Sequence, residues 1–172
     1  MVDIEFPFHD RSDFEDADRG FVGALRPGVV EDASGRVVWD NDAYAFLASD
    51  CPDTANPSLW RQGQLASKQG LYEVCDGIYQ VRGLDLSNMT LVEGDTGVIV
   101  IDPLISAETA AAALGLYRSH RGDRPVTAVI YTHAHVDHFG ASTACSTDRC
   151  PSWRPTGSWS RPSPRTSTPG WP

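Results

Sequence analysis

Nine residues in the last quarter of the chain, Thr132-His133-Ala134-His135-Val136-Asp137-His138-Phe139-Gly140, narrow the possible folds more than any other feature. They directly follow the apolar run Val126-Thr127-Ala128-Val129-Ile130-Tyr131, so an H-x-H-x-D-H cluster stands at the end of what reads as a buried strand. In extended backbone, residues two apart point to the same side. His133 and His135 can therefore hold one metal ion, and Asp137 and His138, on the turn that follows, can reach a second ion beside it. Imidazole with carboxylate favours zinc. Asp137 is in addition the candidate catalytic carboxylate. A lone histidine is usually a structural residue, and His9 and His120 read that way; four donors within six positions do not.

The segments before the cluster supply a frame for it. Three runs, Gly77 to Arg82, Met89 to Glu93 and Gly97 to Ile101, are rich in β-branched and aromatic residues and predict strands. Gly94-Asp95-Thr96-Gly97 reads as a hairpin connection between the second and third. Asp102-Pro103 stops the third strand, and the alanine-rich stretch from Ser106 to about His120 predicts a helix with Ser106 as its N-cap. The order is β-β-β-α-β, ending on the histidines. Asp102 could orient a liganding histidine from behind, or serve only the Asp-Pro turn; the sequence leaves both open. Asn56 to Gln62 and Asp85 to Thr90 yield no mechanism, and turn and capping roles account for them.

Residues 1–70 are acidic and turn-rich, with short apolar clusters at Val37-Val38-Trp39 and Ala43 to Leu47, and read as an arm laid on something larger. Residues 71–140 read as part of one catalytic domain. Residues 141–172 contain no Val, Ile, Leu, Phe, Met, Tyr, Lys or Glu, and a segment so composed lacks the means to build a core. Three tryptophans and the abrupt change beside the richest motif point to a displaced reading frame rather than a natural tail. Back-translating the tail and restoring one nucleotide after the Gly140 codon permits text with a V-P-V-V-A-P run and an S-E-N-V-Y-A-G segment, the aliphatic content of a folded domain.

Charge and leader content narrow the partners. A formal charge of -9 argues against nucleic acid and anionic membranes, both of which require clustered Lys and Arg, and favours a small molecule. The N-terminus has neither a basic start nor an apolar run, and no stretch is long enough to span a membrane, so the expectation is a cytoplasmic protein. The four cysteines, Cys51, Cys75, Cys145 and Cys150, show no C-x-x-C spacing and read as free thiols.

The cluster, the hairpin before it and the I-D-P turn together resemble the metallo-β-lactamase superfamily. Within that superfamily, N-P-S-L-W-R-Q at Asn56 to Gln62, D-G-I-Y-Q-V-R-G at Asp76 to Gly83, D-L-S-N-M-T at Asp85 to Thr90 and E-G-D-T-G at Glu93 to Gly97 resemble the linear alkyl sulfatases. The resemblance covers about residues 50–140. It implies an α/β fold, the N-terminal half of an αββα sandwich. It also implies hydrolysis of dodecyl sulfate and similar esters to alcohol and sulfate, and two zinc ions, one on His133 and His135 and the other on Asp137 and His138. Family members are homodimers and much longer. Their downstream ligands, substrate pocket, dimerisation region and lipid-carrier-like domain have no counterpart here, so this chain by itself is expected to be inactive and to expose an apolar sheet face. Other hydrolases of the superfamily, acting on thioesters, lactones, nucleic acids or β-lactams, share the motif, and a short non-catalytic binding protein is the alternative from another class.

Overall fold

The structure is a computed structural model that describes residues 7–141, 145 and 152–153. Its elements in chain order are α1 (Ser12–Asp18), β1 (Phe21–Gly23), β2 (Val29–Glu31), β3 (Val37–Asp40), α2 (Pro57–Ala66), β4 (Gly70–Cys75), β5 (Ile78–Arg82), β6 (Met89–Glu93), β7 (Val98–Ile101), α3 (Ala107–Arg121), β8 (Val126–Ile130) and β9 (Ser152–Trp153). Short 3-10 turns occupy Asp42–Ala48 and Val136–His138. Among the described residues, seven strands form one sheet in the order β1-β4-β5-β6-β7-β8-β9, and β2 and β3 form a separate ribbon.

Local chemistry explains the order. The strands β4 to β7 run as an antiparallel meander, and the predicted turn at 94–97 closes through Gly94 N–H to the Gly97 carbonyl at 2.8 Å. The next neighbour, β8, pairs with β7 in parallel, which requires a crossover that α3 supplies. Ser106 caps that helix as expected, its hydroxyl accepting from Thr109 N–H at 3.1 Å. At the other end Gly122, with φ +87°, ends it.

Alternation sets which face is buried. Tyr79 and Val81 of β5, Met89 and Leu91 of β6, and Val98 and Val100 of β7 lie in one buried cluster with Ala110, Ala113, Leu114 and Tyr117 of α3. A fully buried Leu or Val stabilises by about 1.5–3 kcal/mol, so this interface is the main source of stability. The alternate positions, Ile78, Val92, Ile99 and Ile101 among them, are half-buried on the opposite face.

The segment 1–70 joins this sheet directly: Phe21 of β1 pairs with Tyr72 of β4, and Trp39 Nε1 donates to the Gly83 carbonyl at 3.2 Å. In α2, Asn56 is the N-cap, its side chain accepting from Ser58 N–H at 2.9 Å and Leu59 N–H at 3.3 Å, the capping role expected of that motif. Most of 141–172 lies outside the described residues. Of those described, Ala141 and Cys145 belong to the buried core and β9 pairs in parallel with β8, so the stretch just past Gly140 does reach the core despite its composition. Cys51 and Cys75 are free thiols, while Cys150 lies outside the described residues. Among the described residues no helix is long and apolar enough to cross a membrane.

Candidate functional site

The cluster sits where β8 leaves the sheet. Parallel pairing brings Ile130 beside Ile101, so the ends of β7 and β8 deliver Asp102 and Thr132 to the same place. Asp102 has φ 55° and Leu104 φ 71°, a left-handed backbone that non-glycine residues seldom adopt. Strain of this kind persists where the surroundings fix it and gathers at working sites. Here the fixing is visible: the Asp102 carboxylate accepts from Thr132 N–H at 2.8 Å, from the Thr132 hydroxyl at 2.6 Å and from His138 Nδ1 at 2.9 Å.

These bonds assign the ring protons. Because the Thr132 hydroxyl donates to Asp102, its oxygen is free to accept from His133 Nδ1, 2.9 Å away. His133 then carries its proton on Nδ1 and a bare lone pair on Nε2. That lone pair faces His135 Nδ1 at 3.2 Å. In the same way His138, donating through Nδ1 to Asp102, turns a bare Nε2 toward Asp137 Oδ2 at 3.3 Å. Two acceptors facing each other at that distance require a second ring proton or a cation between them.

The four side chains thus come together as two pairs, His133 with His135 and Asp137 with His138. The pairs adjoin, since the His133 and His138 rings are 3.9 Å apart between centroids. His133 and His135 are exposed, while Asp137 and His138 are partly buried. Two donors each about 2.0–2.1 Å from one tetrahedral zinc ion lie roughly 3.3–3.4 Å apart, close to the spacing of each pair. The donor chemistry therefore fits a metal in pairs. Among the described residues no three His, Cys, Asp or Glu side chains are grouped so as to hold one ion, so each pair offers two of the four positions that zinc requires.

The turn carrying Asp137 and His138 is held from below. Gly140 N–H reaches the Val136 carbonyl at 2.7 Å and Ala141 N–H the Leu104 carbonyl at 3.0 Å. A Cβ on Gly140 would lie 2.3 Å from the Ile105 carbonyl oxygen, so only glycine allows the turn to close on the loop after β7. Two further residues enter here that the sequence left as turn chemistry. Asp85 is buried and accepts from Ile105 N–H at 3.0 Å and the Thr109 hydroxyl at 2.7 Å. Ser87, also buried, donates its hydroxyl to the Asp137 carbonyl. Their partners lie 20 to 50 residues away in the chain, and no local pattern announces them. His120, at the end of α3, stands beside Gly23 rather than at the cluster.

Residues 82–144 match the metallo-beta-lactamase superfamily, whose members depend on a metal ion. The chain is 54% identical over 138 residues to a linear primary-alkylsulfatase of a Pseudomonas species, an alignment covering 79% of this chain and 20% of that protein. It is 52% identical over 137 residues to an alkyl/aryl-sulfatase of Saccharomyces cerevisiae, covering 79% of this chain and 21% of that protein. Its fold matches the solved structure of a stereoselective inverting sec-alkylsulfatase from a Pseudomonas species with a TM-score of 0.79 at 51% identity, over 83% of this chain and 23% of that one. The chain thus spans about a fifth of the length of these relatives and corresponds to part of a metallo-β-lactamase fold.

Proposed function

We propose that this chain, whose residues 82–144 belong to the metallo-β-lactamase superfamily, is a segment of a zinc-dependent alkyl sulfatase. The complete protein would hydrolyse alkyl sulfate esters to alcohol and inorganic sulfate. The observation that carries the reading is the paired arrangement of His133 with His135 and Asp137 with His138 at the end of β8, in a chain 52–54% identical to alkylsulfatases.

Each residue has a part in this reading. His133 and His135 would hold one zinc ion, and Asp137 and His138 the other. Bound zinc lowers the pKa of water and offsets the negative charge of a sulfate ester. Asp102 keeps His138 in the tautomer whose Nε2 lone pair is available, and Thr132 does the same for His133. Asp137 has a second oxygen beyond the one that faces His138, which suits it to orient the attacking water by accepting a hydrogen bond.

Two protein donors per ion leave the remaining positions to groups beyond these four. The composition change after Gly140 supports a displaced reading frame, and with two donors per ion the 172-residue chain alone is expected to bind zinc weakly and release no sulfate. Zinc content at equilibrium with a fixed concentration of free zinc is the test that needs only this chain. His133→Ala and His135→Ala should each lower uptake, whereas His120→Ala should not. Equal zinc content in all four proteins would overturn the ligand assignment.

A further inference from the structure

We propose that Ser87 is a positioning residue for the metal ion held by Asp137 and His138, and not for the ion held by His133 and His135. The proposal rests on the metal reading above. Ser87 is 8% exposed, on the inward side of an alternation in which Asp85 and Met89 are also buried and Leu86 is 72% exposed, so its side chain is turned toward the interior. Its hydroxyl donates to the Asp137 carbonyl. That carbonyl belongs to the peptide that joins Asp137 to His138. Fixing its plane fixes the angle between the two side chains, whose donor atoms lie 3.3 Å apart. Within the turn, the backbone bond from Gly140 N–H goes to Val136 instead, and the Ser87 hydroxyl takes the Asp137 carbonyl.

The anchor behind Ser87 is rigid. Asp85, two residues earlier, bonds Ile105 N–H and the Thr109 hydroxyl. The segment 85–87 is thereby tied to the first turn of α3 and to the loop on which Gly140 closes. His133 and His135 are held differently, through Thr132 and through each other. The asymmetry is specific: loss of the Ser87 hydroxyl disturbs one pair and spares the other.

Titrating the 172-residue chain with cobalt(II), read by its visible absorption and by calorimetry, separates the two sites. The unaltered chain should bind in two steps. In Ser87→Ala one step should keep its affinity while the other weakens about 10- to 100-fold, the range typical of losing a partner behind a ligand. Ser87→Thr, which keeps the hydroxyl, should retain both steps. In the metal-free chain, Ser87→Ala should move the carbonyl 13C resonance of Asp137 and leave the amide resonances of His133 and His135 in place. Two unchanged steps in Ser87→Ala, or equal weakening of both, would overturn the role of Ser87 alone. An unaltered chain that takes up no cobalt would overturn the metal reading and this proposal with it.

Discussion

Replacing Asp102 by Asn separates the charge of this carboxylate from its shape. Asn keeps an oxygen for Thr132 N–H and tolerates the φ of 55° better than most residues, so the backbone should hold. Its amide nitrogen, however, replaces the oxygen that accepts from the Thr132 hydroxyl and from His138 Nδ1. The hydroxyl can rotate and accept. His138 Nδ1 must accept too, which moves the ring proton to Nε2, the atom facing Asp137. Hydrogen bonds to a charged group contribute about 1.5–3 kcal/mol against about 0.5–1.5 for neutral ones. Three bonds weakened by the difference, discounted because the site is partly open to water, give a loss of about 2 kcal/mol. Metal affinity should fall about 10- to 100-fold, because the lone pair no longer points at the site. Urea unfolding of the metal-free chain measures the first quantity, zinc competition the second, and long-range 1H–15N correlation of the imidazoles reports the tautomer directly. An Asp102→Asn protein in which His138 keeps its proton on Nδ1 and zinc binds as before would show that the Asp102 carboxylate does not set the His138 tautomer.

The remaining expectations concern the frame around the site. Gly140→Ala puts a Cβ 2.3 Å from the Ile105 carbonyl oxygen and 2.8 Å from that of Val136, and the shift it forces should cost about 1–3 kcal/mol, seen as a lower Tm and reduced zinc uptake. Leu91→Ala, at a fully buried position of β6, should lower urea stability by about 2–5 kcal/mol with no change in the Asp137 and His138 resonances. For Glu93, hydrogen bonding to Arg121 holds the carboxyl below its ordinary value of 4.5, Tyr117 adds to this, and burial opposes it. A pKa depressed by folding means that its stabilisation is complete above about pH 4.5 and is lost as the pH falls through the folded value. The urea midpoint should therefore drop on acidification, and less steeply in Glu93→Gln; parallel curves would count against the ion pair.

Much of this arrangement is written locally. The hairpin at 94–97, the Ser106 cap and the apolar run that ends on the histidines each depend on residues within a few positions of one another, and the structure has all three. The strand β4 was not legible because Gly70, Leu71 and Tyr72 are all buried and Glu73, Val74 and Cys75 all exposed, which leaves no period of two to read. In the segment 1–70 the strands are three or four residues long and β1 gains its place only by pairing with β4. The two apolar clusters there became β3, through Val37 to Trp39, and the 3-10 turn that takes in Ala43 to Leu47. At the site the clustering of His133, His135, Asp137 and His138 was legible and the contacts that support it were not. Asp85 and Ser87 act on Ile105, Thr109 and Asp137, contacts that the fold creates. Asp102, for which two roles were open, follows β7 at the turn and accepts from His138 Nδ1.

The sulfatase reading can be tested by joining residues 1–140 to the sequence encoded when the frame after Gly140 is restored, loading the protein with zinc, and measuring sulfate released from dodecyl sulfate. The expected result is steady release that His135→Ala abolishes and that the 172-residue chain does not show. Undiminished release from the His135→Ala protein, or no release from a folded, zinc-loaded protein with the restored frame, would contradict it.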